Sequence, residues 1–237
     1  MAVVLEGGCR VSTMGEGSPQ VSGSLAVWNH IGKTSGADAI SLRILEFGPG
    51  TSPVLRNDEY DEVLYLLEGG CTVVVDGTAY ELGPETGVYL RPQQELRVEN
   101  AGVVLFVSSQ CPAETLDARK QPPTIVRLSD QRALPTGDRW YRVLIDAQVT
   151  QFVGSIPPGR APDHFHEYEE VLFILRGEGR MWAGETNTPI GPSSCIYLPK
   201  RQVHCVENTG TGELRLLGVF YPAGSPAVRY ETADESG

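Results

Sequence analysis

The sequence predicts an all-β protein built from two similar units. Short apolar runs rich in Val, Ile, Leu, Phe and Tyr recur along the chain, separated by Gly, Pro, Asn and Asp, which is typical of β-strands joined by turns. Helical periodicity is nearly absent. A shift of 108 residues lays the first half of the 237-residue chain on the second. The length would accommodate one large domain or two small ones, and the repeat decides for two.

Ten apolar runs are predicted as strands, five in each half. They cover residues 41–47, 63–67, 71–75, 88–90, 103–107, 149–156, 171–175, 180–183, 196–198 and 214–220. Asp76-Gly77 between two such segments predicts a tight hairpin. Few short helices are expected, at 112–120 and at 129–134, where Ser129 could cap.

The boundary between the two units is predicted near Gln121. The Pro122-Pro123 pair that follows cannot continue a helix, so we divide the chain into residues 1–120 and 121–237. Residues 9–23 are rich in Gly and Ser, and we expect them to form a loosely held arm.

Three of the four histidines and a glutamate suggest a metal site in the second half: His164, His166, Glu170 and His204. His164, His166 and Glu170 share strand parity and can face one cavity. A straight strand would carry Glu170 about 13 Å beyond His166, so we expect a bend within residues 167–169. Imidazoles with one carboxylate suit one divalent first-row transition metal per chain (Mn, Fe, Co, Ni, Cu or Zn) better than Ca or Mg.

This pattern resembles the two metal-binding motifs of the cupin superfamily. The first, G-x5-H-x-H-x3,4-E-x6-G, matches from His164 to Gly177, with only the leading glycine displaced. The second, G-x5-P-x-G-x2-H-x3-N, matches at Gly191, Pro199, His204 and Asn208, with Pro199 late and Arg201 in place of the inner glycine. The resemblance implies a bicupin: two tandem antiparallel jelly-roll barrels (double-stranded β-helices), each able to hold a small ligand.

The first half has lost the ligands. The 108-residue shift puts Arg56, Asp58 and Leu96 where the second half has histidines, and only Glu62 remains. We therefore expect the N-terminal barrel to bind no metal. Arg56, Asp58 and Glu62 are predicted to form a buried ion network, with an anion-binding or regulatory pocket around Arg56 as the alternative.

Three kinds of function fit a cupin site of this composition. The first is oxidation by dioxygen of a small enolisable or carboxylate-bearing substrate, which we favour. The second is non-redox isomerase, lyase, decarboxylase or hydrolase chemistry, for which the candidate acid–base groups are Glu178, Tyr197 and Gln202. The third is small-molecule binding without turnover. Retention of all four ligands in one half only favours catalysis.

Strand parity also yields candidates for binding the substrate. Leu172 and Ile174 continue the face of Glu170 and are expected to line an apolar cavity. Arg180 and Trp182 share a face; inward they would hold a substrate carboxylate and wall the pocket, and outward they would be barrel surface. Arg160 is placed at the barrel mouth, where it either steers an anionic substrate or is solvated. Cys205 is expected to face away from the cavity and pack.

Composition excludes several partners. The formal net charge of −11 argues against nucleic acid and anionic membrane surfaces. No run of eighteen apolar residues is present, and the first ten residues do not read as a secretory signal. Five cysteines without a C-x-x-C pair indicate free thiols in the cytoplasm. The chain is expected to act on a small molecule, and it could form a homodimer.

Overall fold

A computed structural model describes residues 2–114 and 122–227, and it confirms an all-β fold of two barrels. Each barrel pairs a large antiparallel sheet with a small one. The first barrel contains β3 (Gln20–Ser22), β4 (Leu25–Ile31), β5 (Leu42–Phe47), β6 (Gly50–Thr51), β7 (Tyr60–Glu68), β8 (Cys71–Val75), β9 (Thr78–Leu82), β10 (Thr86–Leu90), β11 (Leu96–Asn100), β12 (Val104–Pro112) and β13 (Ile125–Arg127). Its sheets have the orders β13-β10-β7-β12-β5-β4-β3 and β6-β11-β8-β9.

The second barrel repeats this plan. It contains β1 (Val3–Val4), β2 (Arg10–Thr13), β14 (Leu134–Thr136), β15 (Arg139–Asp146), β16 (Thr150–Ile156), β17 (Gly159–Arg160), β18 (Glu169–Arg176), β19 (Gly179–Ala183), β20 (Thr186–Ile190), β21 (Ser194–Leu198), β22 (His204–Asn208) and β23 (Leu214–Tyr221). Its sheets have the orders β1-β2-β21-β18-β23-β16-β15-β14 and β17-β22-β19-β20. The Asp76-Gly77 hairpin forms as predicted between β8 and β9, with both residues at positive φ.

The two halves exchange strands. The opening strand β2 pairs with β21 of the second barrel, with Arg10 opposite Tyr197. In return, β13 pairs with β10 of the first barrel, with Thr86 opposite Arg127. The expectation of a loose arm at residues 9–23 was therefore wrong, because Cys9 is buried and β2 is held in a sheet. The predicted boundary at 120/121 lies outside the described residues.

In the part of the chain that the structure describes, the short helices are single 3-10 turns at Glu6–Gly8, Lys33–Ser35 and Leu128–Asp130. The helix predicted at 129–134 was wrong, because β14 begins at Leu134 and the Ser129 hydroxyl donates to the Asp130 side chain. The helix predicted at 112–120 begins inside β12, and its remainder from 115 lies outside the described residues. Within residues 2–114 and 122–227, no helix is long and apolar enough to cross a membrane.

Apolar side chains form three clusters, one inside each barrel and one between the barrels. Leu64 and Phe106 belong to the first interior, and Leu172 and Phe220 to the second. The cluster between the barrels contains the alternate residues of the same strands, such as Val63 and Val171. Because strand neighbours face opposite sides, one large sheet serves its own barrel and the shared core at once.

Two matched carboxylates join the barrels at this shared core. Asp61 at the start of β7 accepts hydrogen bonds from the Tyr89 hydroxyl at 2.6 Å and from Gln148 of the second half. Glu169 at the start of β18 accepts from the Tyr197 hydroxyl at 2.6 Å and from backbone N–H groups of residues 38–40 at 2.8–3.2 Å. Asp61 thus binds the loop that precedes β16, and Glu169 binds the loop that precedes β5, so each carboxylate contacts the opposite half.

Candidate metal centre

The structure brings His164, His166 and His204 together in the second barrel. One potential ligand atom from each lies within 4.8 Å of the others, so the three could hold a metal ion. The ring centroids are 4.6–5.2 Å apart. The arrangement is fixed by the backbone, because His164 and His204 exchange N–H···O=C bonds of 3.1 and 2.8 Å.

Hydrogen bonds to the backbone set the tautomers of two of these rings. Nδ1 of His164 lies 3.0 Å from the Pro162 carbonyl oxygen, and Nδ1 of His204 lies 2.7 Å from that of Gln202. A carbonyl oxygen only accepts, so the neutral rings carry their proton on Nδ1. Nε2 of both rings is then left with a lone pair, which is how metal-binding histidines are commonly oriented.

Glu170 joins this cluster through the predicted bend. Residues 167–168 form a bend before β18 starts, and an Oε2 atom of Glu170 lies 3.8 Å from His166 Nε2. Burial raises the pKa of the Glu170 carboxyl to about 8. Burial, with the neighbouring His164 ring, lowers the pKa of His204 to about 3. Without a bound cation, burial therefore disfavours the charged forms of Glu170 and His204.

Stacked aromatic rings support the cluster from one side. The His166 ring lies parallel to Tyr168 with centroids 4.6 Å apart, and Tyr168 lies parallel to Phe220 at 4.1 Å. Phe152 packs against Phe220 at 5.9 Å, directly over Gly218, where a Cβ atom would lie 2.3 Å from the ring. Position 218 therefore requires glycine for this aromatic floor to form.

A cavity of about 110 Å³ opens at the cluster. Its walls include Phe152, Leu172 and Leu216, and Arg139 and Tyr141 of β15 add a guanidinium and a phenol. The predicted wall residue Leu172 does line it. Ile174 does not; it is buried in the barrel interior further along β18. Arg139 was not predicted as a cavity residue because β15 was not recognised as a strand: its residues 140–145 include Arg142 among apolar side chains, although a Gly-Asp turn precedes them.

The other substrate-binding candidates lie on the outer surface of the small sheet. Arg180 is exposed and donates from Nη1 to Asn187 Oδ1 at 2.6 Å. Trp182 donates from Nε1 to Glu207 Oε2 at 2.8 Å, and the Arg160 guanidinium lies 4.1 Å above its ring. None of the three lines the cavity, so of the two alternatives for Arg180 and Trp182 the structure has the outward one. Parity gives which residues share a face but not which face is inside.

The three acid–base candidates also lie elsewhere. Tyr197 points into the core between the barrels and binds Glu169. The Gln202 amide donates to the Val203 carbonyl oxygen, and its side chain packs against Gly7. Glu178 lies beyond the other end of β18, where its carbonyl oxygen accepts from Thr209. None lines the cavity, so a role for them in proton transfer was a wrong prediction.

The first barrel differs from the expected alignment by one residue at the ligand positions. Leu55 pairs with Leu96 in the way that His164 pairs with His204. The Asn57 carbonyl oxygen accepts a hydrogen bond from the Gln93 N–H, as the His166 carbonyl oxygen does from the Arg201 N–H. Leu55 and Asn57, rather than Arg56 and Asp58, are therefore the structural counterparts of the histidines. The shift arises in the loop before β7, where an unequal loop length leaves no mark on the repeat.

The predicted buried network of Arg56, Asp58 and Glu62 was also wrong. Arg56 and Asp58 form a 3.2 Å ion pair with side chains 46% and 68% exposed. Glu62 is buried and pairs instead with Arg43, Nη2 to Oε1, at 2.6 Å. Ser108 and Gln110 also donate to Glu62, at 2.6 and 3.0 Å.

Strand register shows what replaces Arg43 in the second barrel. In the first barrel, Arg43 pairs with Ser108, which pairs in turn with Leu64. In the second barrel, Phe152 pairs with Gly218, which pairs in turn with Leu172, the counterpart of Leu64. The polar side chains that surround Glu62 therefore correspond to Phe152, Gly218 and Phe220 around Glu170. Arg43 thus supplies a cation to the first glutamate, whereas Phe152, Gly218 and Phe220 at the matching positions near the second carry no charge.

The chain belongs to the cupin family. The sequence model of the cupin domain matches residues 43–108 and 152–220, one segment in each barrel. The protein is similar to auxin-binding protein 1 of Arabidopsis thaliana, 34% identical over 31% of this chain and 42% of that protein. It is also similar to an oxalate-binding protein of Thermotoga maritima, 34% identical over 28% of this chain and 56% of that protein. These matches span about half the length of the curated relatives.

A solved structure shows the same tandem fold. Oxalate decarboxylase OxdC of Bacillus subtilis, in a mutant form, superposes with a TM-score of 0.72 and 13% identity, over 90% of this chain and 77% of that one. At this identity the likeness establishes the bicupin fold alone.

Proposed function

We propose that the second barrel is a mononuclear metal centre that oxidises a small carboxylate-bearing substrate with dioxygen. His164, His166, His204 and Glu170 would hold one divalent first-row transition metal. The observation that carries the proposal is the buried cluster of three histidines with Glu170 3.8 Å from His166, where no Lys or Arg of residues 2–114 and 122–227 pairs with that glutamate.

The residues present fit such an ion. Three imidazole nitrogens and one carboxylate oxygen are the donors that Mn, Fe, Co, Ni, Cu and Zn accept. A dication would provide the charge that Arg43 provides to Glu62 in the first barrel. Four protein ligands leave one or two coordination positions for water, substrate or dioxygen, and a metal there would orient the substrate and stabilise its anionic form.

The cavity favours a small anion as substrate. A cavity of about 110 Å³ suits a small molecule such as a short-chain acid. Arg139 can bind a carboxylate through two parallel N–H···O bonds. Two of the similar proteins named above bind or decarboxylate oxalate, the smallest dicarboxylate, which supports this class.

The lining also bears on the type of reaction. Among the described residues that line the cavity, Glu170 is the only carboxylic acid, and there is no Lys or Cys. A reaction that needs a separate carboxylate, amine or thiol for proton transfer is therefore poorly served. The phenol of Tyr141 is then the remaining group on the lining suited to proton transfer, and oxidation of a substrate that is already anionic needs least from it, which supports the oxidative class over isomerisation or hydrolysis.

Two alternatives have specific support. Non-redox decarboxylation is favoured by the fold shared with oxalate decarboxylase, and binding without turnover by the two relatives named as binding proteins. Oxygen uptake and CO₂ release should be measured on protein of known metal content, with oxalate, 2-oxo acids, hydroxy acids, diketones and catechols. Oxygen consumption is the expected result. Turnover without oxygen supports the decarboxylase, and binding without turnover the binding protein.

A further inference from the structure

Arg160 bridges the side chains of two residues, each of which is the chain neighbour of a histidine of the cluster. Its Nε donates to Cys205 Sγ at 3.3 Å, and its Nη2 donates to Asp163 Oδ1 at 3.1 Å. Asp163 immediately precedes His164, and Cys205 immediately follows His204. Because strand neighbours face opposite sides, Cys205 lies on the outer face of the small sheet directly behind the inward His204.

Two further residues hold the guanidinium in place. It stacks 4.1 Å above the Trp182 ring, and Trp182 in turn donates from Nε1 to Glu207, the partner of Arg160 in the β17–β22 pairing. We call this set the Arg160 clamp; its members are Arg160, Asp163, Trp182, Cys205 and Glu207. The planar guanidinium can stack and donate in two directions at once, which a lysine ammonium cannot do.

The first barrel provides an internal comparison. Thr51 corresponds to Arg160, because Thr51 pairs with Glu99 as Arg160 pairs with Glu207. Val74 and Arg97 correspond to Trp182 and Cys205, because the two residues of each set pair with each other in the same place. Val54, which precedes Leu55, corresponds to Asp163. Of the clamp, only the glutamate is retained in the barrel that has lost the histidines. The clamp therefore accompanies the metal-ligand set within one chain.

We propose that Arg160 is a positioning residue for the metal centre. Through the clamp it reinforces the backbone pairing that sets the separation of His164 from His204, and so it slows release of the metal, although it does not line the cavity. This inference rests on the proposed metal site but not on the reaction that the site performs.

The test compares metal release from wild type, Arg160→Ala, Arg160→Lys and Asp163→Asn into excess chelator. Arg180→Ala is the matched control, because Arg180 lies exposed on the same outer face and bonds only Asn187 among the contacts described. Loss of a residue that orients metal ligands typically costs 10–100-fold in affinity. We expect release about tenfold faster in all three clamp variants, an altered spin-resonance spectrum with Mn bound, and wild-type behaviour in Arg180→Ala.

The thermal midpoint of the metal-free proteins separates positioning from folding. The midpoint should be the same in Arg160→Ala and Arg180→Ala. If Arg160→Ala fails to fold, the comparison rests on Asp163→Asn against Arg180→Ala. Wild-type release in Arg160→Ala, or full rescue by lysine, would overturn the clamp and leave the proposed function standing. Absence of metal from the wild type would overturn both.

Discussion

Arg43 and Phe152 occupy equivalent positions in the two barrels, and they decide what surrounds the glutamate that both barrels share. Arg43 pairs with Glu62 at 2.6 Å, whereas Phe152 lies over Gly218 and packs against Phe220 near Glu170. One buried carboxylate is thus compensated within the protein. Glu170 lies buried beside the histidine cluster, where burial raises the pKa of its carboxyl, and a cation from outside the protein would stabilise its charged form.

The two glutamates should therefore respond differently to the same change. Glu170→Gln removes a ligand, and we expect metal content to fall from one per chain toward zero. Glu62→Gln should leave one metal per chain but destabilise the protein by about 3 kcal/mol, because Arg43 loses its buried counter-charge. Elemental analysis and denaturant unfolding measure the two effects. A loss of metal in Glu62→Gln would mean that the first barrel is the working one.

Burial of Glu170 predicts a pH dependence for the metal-free protein. Its folded pKa of about 8 lies above the ordinary value of 4.5, so the folded state holds an extra proton between these values and stability falls as pH rises. The lowered pKa of His204 acts in the opposite direction, but only between about 3 and 6.5.

Between pH 6.5 and 8 the effect of Glu170 is therefore no longer opposed by that of His204. Denaturant unfolding in the presence of chelator should show stability declining across this range in wild type and a flatter profile in Glu170→Gln. Equal slopes in the two proteins would show that the carboxyl is ionised in the folded state without metal.

Tyr197 should matter for stability and not for the metal centre. Its hydroxyl donates to Glu169 at 2.6 Å in the core between the barrels, as Tyr89 donates to Asp61. We expect Tyr197→Phe and Tyr89→Phe each to lower the free energy of unfolding by about 1–2 kcal/mol, because a buried carboxylate loses a donor. Metal content and turnover per bound metal should stay at wild-type values. Loss of turnover in Tyr197→Phe alone would restore its role as an acid–base group.

Arg139 should govern affinity for the substrate carboxylate. A charge-assisted hydrogen bond is worth about 1.5–3 kcal/mol, so Arg139→Gln should raise KM roughly 10–100-fold with metal content unchanged. Arg180→Gln, which changes the same charge on the outer face, is the control and should be silent. If Arg139→Gln binds substrate like wild type, the anion is held by the metal alone.

Much of this architecture could be predicted from sequence. All ten apolar runs fall within or overlap observed strands, and the repeat correctly indicated two barrels. The bend at residues 167–168 followed from the reach of a strand. Strands with mixed composition, such as β15, were missed, and with them the cavity residue Arg139.

The remaining errors have three physical causes. The gapless repeat concealed a one-residue shift before β7. Arg56 was therefore predicted as the counterpart of His164, whereas the structure has Leu55 there. Period-two alternation could not say whether Trp182 faces in or out. The position of Tyr197 depends on how the barrels pack against each other, and the sequence pattern of one barrel contains no information on that contact.

The most direct test of the central claim is the metal content of untagged protein purified without chelator, compared with that of His164→Ala and His204→Ala. One first-row transition metal per chain in wild type, and none in either variant, is the predicted result. Full metal retention in either variant would refute the ligand assignment, and a wild type that binds no metal under any loading condition would contradict the account as a whole.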